Sequence, residues 1–407
     1  MAEFKPKTYF IKTFGCQANV ADSNTLAGIL EALGFEEVSE PKNVRSDKEM
    51  YKKVLPETDL FIVNTCSVRQ KSEDKVYGLG KAFADFPKGK KKPFTVMAGC
   101  MVGSVTGDRT RFTPRELKNK TPWVDEYINP SQIFEIPAIL LKNNLLDEWA
   151  LKRFNPEKVQ SKQKNKIQAF VNISNGCDNY CRFCVVPFAR GKEVSRSKKE
   201  ILNEIKQLVN RGITEITLCG QNVNSWGLSW EEKFKIRSGS DQKLPFAALL
   251  REIHKIPEIK KIDFISSNPF DFTQDLIDTL KLSKISNYLH IAIQSGNNKI
   301  LKKMNRRHTI EDFLTLIAKI QKAQPKVELG TDAIVGFPGE TKAQFEDTVK
   351  IFQKVPFNVA FISMYSPRKG TPAEIMYKDD VSLDEKKRRH AQLVKVWKKP
   401  KKEIRKQ

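Results

Sequence analysis

Six of the seven cysteines in this 407-residue chain fall into two sets of three. Cys177, Cys181 and Cys184 form a C-x3-C-x2-C run in NGCDNYCRFCVVP. Cys16, Cys66 and Cys100 lie far apart, each closing an apolar stretch: YFIKTFGC, LFIVNTC and FTVMAGC. Three thiolates hold three corners of a [4Fe–4S] cube and leave the fourth iron open to another ligand. A closed structural zinc site takes four protein ligands, which neither set supplies by itself. Two cubes with one open iron each would make the chain a redox enzyme. For the short run, the competing readings are a zinc knuckle that borrows a fourth ligand, or cysteines that are simply buried. Gly176 ahead of it allows the tight backbone path that brings three sulfurs within one cluster's radius.

The other reactive residue types offer less. Cys219, in the apolar stretch EITLCG, reads as a small buried hydrophobe. His254, His290, His308 and His390 are scattered without metal-ligand spacing, and His290 in YLHIAI reads as a satisfied core histidine. The chain carries no P-loop, nucleophile elbow or dinucleotide fingerprint.

Residues 8–141 read as alternating strands and helices. TYFIKTF is a strand, Ala21–Leu33 has helical spacing, and LFIVNT and FTVMAG are the continuous apolar runs of sheets covered on both faces. That order implies a small parallel α/β N-terminal domain over residues 1–141. Each early cysteine then sits just past the C-terminal end of a strand, the edge at which open α/β sheets bind ligands. The polar stretch Pro41–Thr58 reads as a surface insertion. Residues 142–168 are polar and lysine-rich and read as a linker, with a short helix over Leu145–Leu151.

A second α/β series occupies residues 169–382. Its strand candidates are AFVNIS, EITLCG, KIDFIS, YLHIAI, VELGTDAIVG and VAFISMY. Helical patterns lie between most of them, at Lys198–Asn210, Phe246–Lys255, Asp275–Lys281 and Lys342–Lys354. Six such units make a partial (β/α)6 TIM-like barrel, whose active face is built from the loops after the strands. The cysteine run follows the first strand and belongs to that face. Residues 383–407 form a basic helix, Leu383–Lys399, and a lysine-rich tail.

Seventy-one Lys and Arg against 48 Asp and Glu give a net charge of +23. A basic face gains affinity for polyanions by releasing their counterions, which favours a nucleic-acid partner. A membrane partner is disfavoured, because no amphipathic or lipidated segment accompanies the charge. No run of about 18 apolar residues is present, and MAEFKPKTYF lacks the apolar core of a secretory signal. An odd cysteine count without dense spacing points to a reducing cytosol and to metal ligation.

NGCDNYCRFCVVPFARGKEVSR resembles the signature of the radical S-adenosylmethionine (SAM) methylthiotransferases. TFGCQANVADS, NTCSVRQKSEDKV and AGC resemble that family's three N-terminal cysteine blocks, so the resemblance spans nearly the whole chain. NTCSVR, CVVPFARG and GQNVNSWG resemble the branch that methylthiolates N6-isopentenyladenosine 37 of tRNA. The resemblance implies two [4Fe–4S] clusters. One, on Cys177, Cys181 and Cys184, chelates the methionine part of SAM, whose reductive cleavage yields a 5′-deoxyadenosyl radical. The other, on Cys16, Cys66 and Cys100, carries the sulfur; a second SAM methylates it, and the radical takes hydrogen from C2 of the adenine. By the same resemblance Gly220, Gln221 and Asn222 lie near the methionine part. Gln294 and Ser295 face the ribose, and Asp332, Gly336 and Gly339 lie near the adenine. The plain alternative is that the glycines make turns and Gln294 is a loop residue.

The implied partners are a tRNA anticodon loop, whose unpaired bases can be splayed out and stacked, and an electron donor such as flavodoxin or ferredoxin. The implied protein is a cytoplasmic monomer with no membrane association. Two rival substrates are threonylcarbamoyladenosine in tRNA and a ribosomal protein; the rival outside enzymes is an RNA-binding iron–sulfur protein. Three departures from the family pattern stand out. The residues after Leu383 leave no room for the C-terminal TRAM barrel. MVGSVTGDRTRF after Cys100 suggests a rebuilt loop, and Asn268 in SSNPFDF replaces a histidine.

Overall fold

The structure is a computed structural model that describes residues 7–236 and 238–399; the tail expected after Lys399 lies outside them. It divides into two compact units: Met1–Gly176 with Val185–Lys192, and Cys177–Cys184 with Glu193–Gln407.

The first unit is built on five strands: β1 (Thr8–Thr13), β2 (Glu36–Glu37), β3 (Leu60–Thr65), β4 (Phe94–Gly99) and β5 (Glu126–Ile128). They lie in the order β2-β1-β3-β4-β5, and every pairing is parallel. Side chains of a strand point alternately to its two faces, and both faces are covered here. Tyr9, Ile11, Leu60, Ile62, Val96 and Ala98 pack on one side with Leu26, Ile29 and Leu30 of helix α1 (Gln17–Ala32). Phe10, Phe61, Val63 and Met97 pack on the other. All six residues of β3 are buried, which is why its sequence shows no polar alternation. The strand order reverses between β1 and β3, and open sheets bind ligands beyond the carboxyl ends of strands at such a switch point.

Two sequence expectations are overturned in this unit. Pro41–Thr58 is not a surface insertion. It holds helix α2 (Asp47–Val54), which puts Met50, Tyr51 and Val54 into the core, followed by the buried Leu55. Met50, Tyr51 and Val54 fall on one helix face among charges, a pattern that composition hides. The segment after Cys100 is not a rebuilt loop either, because a helix covers Cys100–Thr106. Residues 142–168 lie along the same unit. Leu145 and Leu146 are buried in its core, a helix spans Glu148–Arg153, and Lys162 pairs with Glu37 at 2.8 Å.

In the second unit Glu215–Cys219 pairs in parallel with Lys261–Phe264. Glu328–Val335 pairs in parallel with both Tyr288–His290 and Phe357–Met364. Bridges at Ile262–Ile285 and Ser267–Ile291 join the two groups. Amphipathic helices follow the strands, among them Lys198–Asn210, Pro245–His254, Ile310–Ala323 and Lys342–Lys354. The final helix, Leu383–Trp397, anchors through Arg389, whose guanidinium donates to Glu340 at 2.9 Å. The fold is the mixed α/β architecture with a TIM-like partial barrel expected from the sequence. No helix among the described residues is long and apolar enough to cross a membrane.

Candidate functional site

Cys16, Cys66 and Cys100 stand at the carboxyl edge of the first unit's sheet. Cys16 is the N-cap of α1, Cys66 directly follows β3, and Cys100 opens the helix Cys100–Thr106 directly after β4. Cys16 is exposed; Cys66 and Cys100 are buried. Two buried asparagines tie the Cys16 and Cys66 loops together. Asn19 Nδ2 donates to Asn64 Oδ1 at 3.2 Å and to the Thr65 carbonyl at 3.0 Å, and Asn64 Nδ2 donates back to the Asn19 carbonyl at 2.9 Å. Thr65 Oγ1 accepts from Met101 N at 3.1 Å, fixing the start of the helix that carries Cys100. Gly99 makes that turn with φ +90°, and a Cβ there would lie 2.4 Å from Asn64 Oδ1. Burial, then neighbouring Cys100, pushes the Cys66 thiol up to about 11, with Cys16 adding to it. A negative charge on either of the other two cysteines thus disfavours a Cys66 thiolate, and a cation that takes up the thiols must displace protons.

The second set occupies one loop, Cys177–Cys184, in the second unit. Tyr180 turns it with φ +47°, and Cys184 N donates to the Cys181 carbonyl at 2.9 Å. Two segments clamp it. Asn305 Nδ2 donates to the Tyr180 carbonyl at 3.0 Å, and Arg182 Nη1 donates to Tyr377 Oη at 2.6 Å and the Lys303 carbonyl at 3.1 Å. Phe183 packs against a core of Ile300, Met304, Phe337, Tyr365 and Ala373. Arg306, itself buried, donates to Cys181 Sγ at 3.4 Å. Burial raises the Cys177 thiol well above its ordinary value, with Glu193, Cys184 and Cys181 adding to it.

The donor sets fit iron–sulfur cubes. Among the described residues no group of three His, Cys, Asp or Glu side chains closes on a single metal ion. In a cube each cysteine binds its own iron, so its ligands stand farther apart than those sharing one ion. The second unit also fits a polar cofactor. Glu193 Oε2, Gln221 Oε1, Ser267 Oγ and Arg306 Nε are buried without hydrogen-bond partners. A buried unpaired polar group costs about 1–3 kcal/mol, so atoms of this kind call for a ligand or ordered water.

Of the residues nominated from the sequence, Gly220 and Gln221 follow the strand Glu215–Cys219, and Gln221 is half-buried. Asn222 is fully buried but already engaged: its Nδ2 donates to Asp271 at 2.9 Å, and its Oδ1 accepts from Asn268 at 3.0 Å. Asn268, the departure from the family pattern, is thus part of a closed amide network. Gln294, at φ +68°, and Asp332 come together: Gln294 N donates to the Asp332 carbonyl at 2.8 Å. Ser295 is fully buried. Asp332 Oδ2 meets His290 Nε2 at 2.7 Å, and His290 Nδ1 meets Tyr288 Oη at 2.9 Å, so His290 is satisfied. Gly336 and Gly339 are turn residues held by Glu340 and Asp380 through their amides, each at 2.6 Å. Cys219 is fully buried. Sequence reasoning missed Asn19, Asn64, Arg190, Glu193 and Arg306. Arg190 and Glu193 lie inside the recognised ARGKEVSR segment, and Asn19 lies three residues after Cys16, the only signals that pointed to them.

Comparison with known proteins converges on one group. The radical SAM superfamily profile matches residues 171–352, and a profile described as uncharacterized protein family UPF0004 matches residues 8–125. The tRNA-2-methylthio-N(6)-dimethylallyladenosine synthase of Clostridium novyi is 37% identical over 399 residues, covering 96% of this chain and 81% of that protein. The synthase of Acetivibrio thermocellus is 39% identical, with coverages of 98% and 78%. Among solved structures, the radical SAM methyltransferase TsrM from Kitasatospora setae superposes with a TM-score of 0.60 over 91% of this chain and 77% of that one, at 14% identity. The cobalamin-dependent radical SAM enzyme OxsB superposes with 0.56 over 99% and 56%, at 11% identity. These two share the fold. The synthases share the sequence along nearly its whole length, and the chain belongs to the tRNA-2-methylthio-N(6)-dimethylallyladenosine synthase family of the radical SAM superfamily.

Proposed function

We propose that this protein is a tRNA methylthiotransferase that adds a methylthio group to C2 of N6-isopentenyladenosine 37. The observation that carries the reading is full-length similarity to the synthases combined with two separate cysteine triads, one in each unit. Its cofactors are SAM and two [4Fe–4S] clusters, which when bound supply radical formation, sulfur and the methyl group.

The chain's own residues hold, orient and shield. Cys177, Cys181 and Cys184 ligate the radical-generating cluster, and Cys16, Cys66 and Cys100 the auxiliary one. Gly220 and Gln221 face the methionine part of SAM, Gln294 and Ser295 its ribose, and Asp332 its adenine side. His290 bonds Asp332 and keeps that carboxylate in one orientation. Asn222, Gly336 and Gly339 shape the walls, Asn222 through its amide network and the glycines through their turns. The +23 charge supplies cations for tRNA phosphates. The protein works in the cytoplasm as a monomer and takes electrons from a carrier such as flavodoxin or ferredoxin.

The test is anaerobic reconstitution with SAM, reductant, sulfide and three substrates side by side: isopentenylated tRNA, threonylcarbamoylated tRNA and ribosomal protein. Mass spectrometry is expected to find the methylthio product on isopentenylated tRNA alone. Product on either other substrate, with none on the first, overturns the substrate assignment.

A further inference from the structure

Arg190 is a buried arginine of the first unit whose side chain is bonded to α1, the helix that follows Cys16. Its Nη2 donates to Asp22 Oδ2 at 2.7 Å, and its Nη1 to Asn175 Oδ1 at 3.0 Å. Asp22 lies on α1 (Gln17–Ala32), six residues after Cys16, and its second oxygen accepts from Asn172 Nδ2 at 2.7 Å. Asn172 Nδ2 also donates to the carbonyl of Ala18 in the first turn of α1. On the other side, the Ala189 backbone closes on the first turn of the helix Cys100–Thr106. A Cβ on Gly103 would lie 1.9 Å from the Ala189 carbonyl oxygen, so only glycine admits that approach. The chain thus uses two asparagines and a buried aspartate to hold the Arg190 guanidinium beside α1, and a glycine to admit the neighbouring Ala189 backbone against the helix that starts at Cys100.

Structural economy alone does not explain this arrangement. A buried ion pair seldom repays its desolvation against an apolar pair of the same volume. The two ends of the pair differ, however. Arg190 couples electrostatically to Asp22 first and then to Cys100 and Cys16, whereas the main partners of Asp22 are Arg190 and Asn172. The burial of the Arg190 charge is offset by Asp22 and, beyond it, by the two cysteines at the starts of those helices.

We infer that Arg190 is a positioning residue for the auxiliary cluster: its guanidinium, oriented by Asp22, offsets the negative charge of the three-thiolate site and sets that cluster's reduction potential. Charge close to a cluster and hydrogen bonds around it are among the levers a protein has over potential. The inference rests on Cys16, Cys66 and Cys100 being cluster ligands.

The test uses the full chain with Cys177, Cys181 and Cys184 replaced by Ala, so that only the auxiliary cluster remains. Iron content is measured first, and the midpoint potential is then followed by electron paramagnetic resonance. Arg190→Gln is expected to shift the midpoint to more negative values, and Asp22→Asn to more positive values. Arg190→Lys, which keeps the charge, is expected to stay near the parent. Both neutral variants break the same ion pair, so a purely structural role moves both midpoints in one direction or strips iron from both. That result, or an unchanged potential in both, overturns the inference. If Arg190→Gln does not fold, the upward shift in Asp22→Asn and the parent-like Arg190→Lys still decide it. A parent that binds no cluster at all refutes the ligand assignment itself, and the inference with it.

Discussion

The two cysteine triads are assembled by different means. Cys177, Cys181 and Cys184 fall within eight consecutive residues, and that loop is fixed by Arg182, Phe183, Asn305 and the positive φ of Tyr180. Cys16, Cys66 and Cys100 belong to three different strand ends and meet only because β1, β3 and β4 lie side by side. The first arrangement is written in local sequence and survives while its clamps do. The second exists only when the whole sheet has formed, with Asn19 and Asn64 closing the gap between neighbouring loops. A cluster held by distant cysteines is therefore linked to the stability of its unit, because binding that occurs only in the folded state adds to folding free energy.

That contrast can be broken experimentally, beginning with the largest effect. Cys181→Ala is expected to abolish 5′-deoxyadenosine formation while the iron of the other triad is retained; chromatography of the SAM cleavage products reads the first and iron analysis the second. Cys66→Ala is expected to do the reverse, leaving SAM cleavage in place and eliminating the methylthio nucleoside from digested tRNA. Persistence of that nucleoside would remove Cys66 from the sulfur-carrying site. Gly99→Ala touches no ligand, yet it forces a side chain onto φ +90° and to within 2.4 Å of Asn64 Oδ1. Strain of this kind costs about 1–3 kcal/mol. Thermal unfolding of the variant should come earlier, and iron should be lost from the front triad alone. Asp332→Asn should have the smallest effect. It weakens one hydrogen bond made by a charged group, which predicts about a tenfold loss of SAM affinity in equilibrium dialysis with both clusters intact.

The same contrast explains what was legible in the sequence. The loop triad is readable because its spacing is its geometry. The front triad was readable at one remove: LFIVNT and FTVMAG are buried on both faces, so their apolar runs announce parallel strands and place the cysteines at strand ends. Elements whose apolar residues are few were hidden. Helix α2 contributes Met50, Tyr51 and Val54 from a segment dominated by Lys, Asp and Glu. Leu145 and Leu146 pack into the core from a stretch that reads as linker. Pairings across long separations leave no local trace. Arg190 and Asp22 are 168 positions apart, and Arg306 and Cys181 are 125 apart. The nominated cofactor contacts divide along the same line. Gln294 and Asp332 are joined by adjacent strands, whereas the polar atoms of Asn222 are taken up by Asp271 and Asn268.

The central claim is that each triad holds its own cube, independently of the other. The most direct measurement is Mössbauer spectroscopy with iron analysis on three anaerobically reconstituted proteins: the parent chain, a variant with Cys16, Cys66 and Cys100 replaced by Ala, and one with Cys177, Cys181 and Cys184 replaced. About eight irons per chain are expected in the first and about four in each of the others, all in [4Fe–4S] form. A parent with about four irons, or one triple variant that loses all its iron, would contradict it.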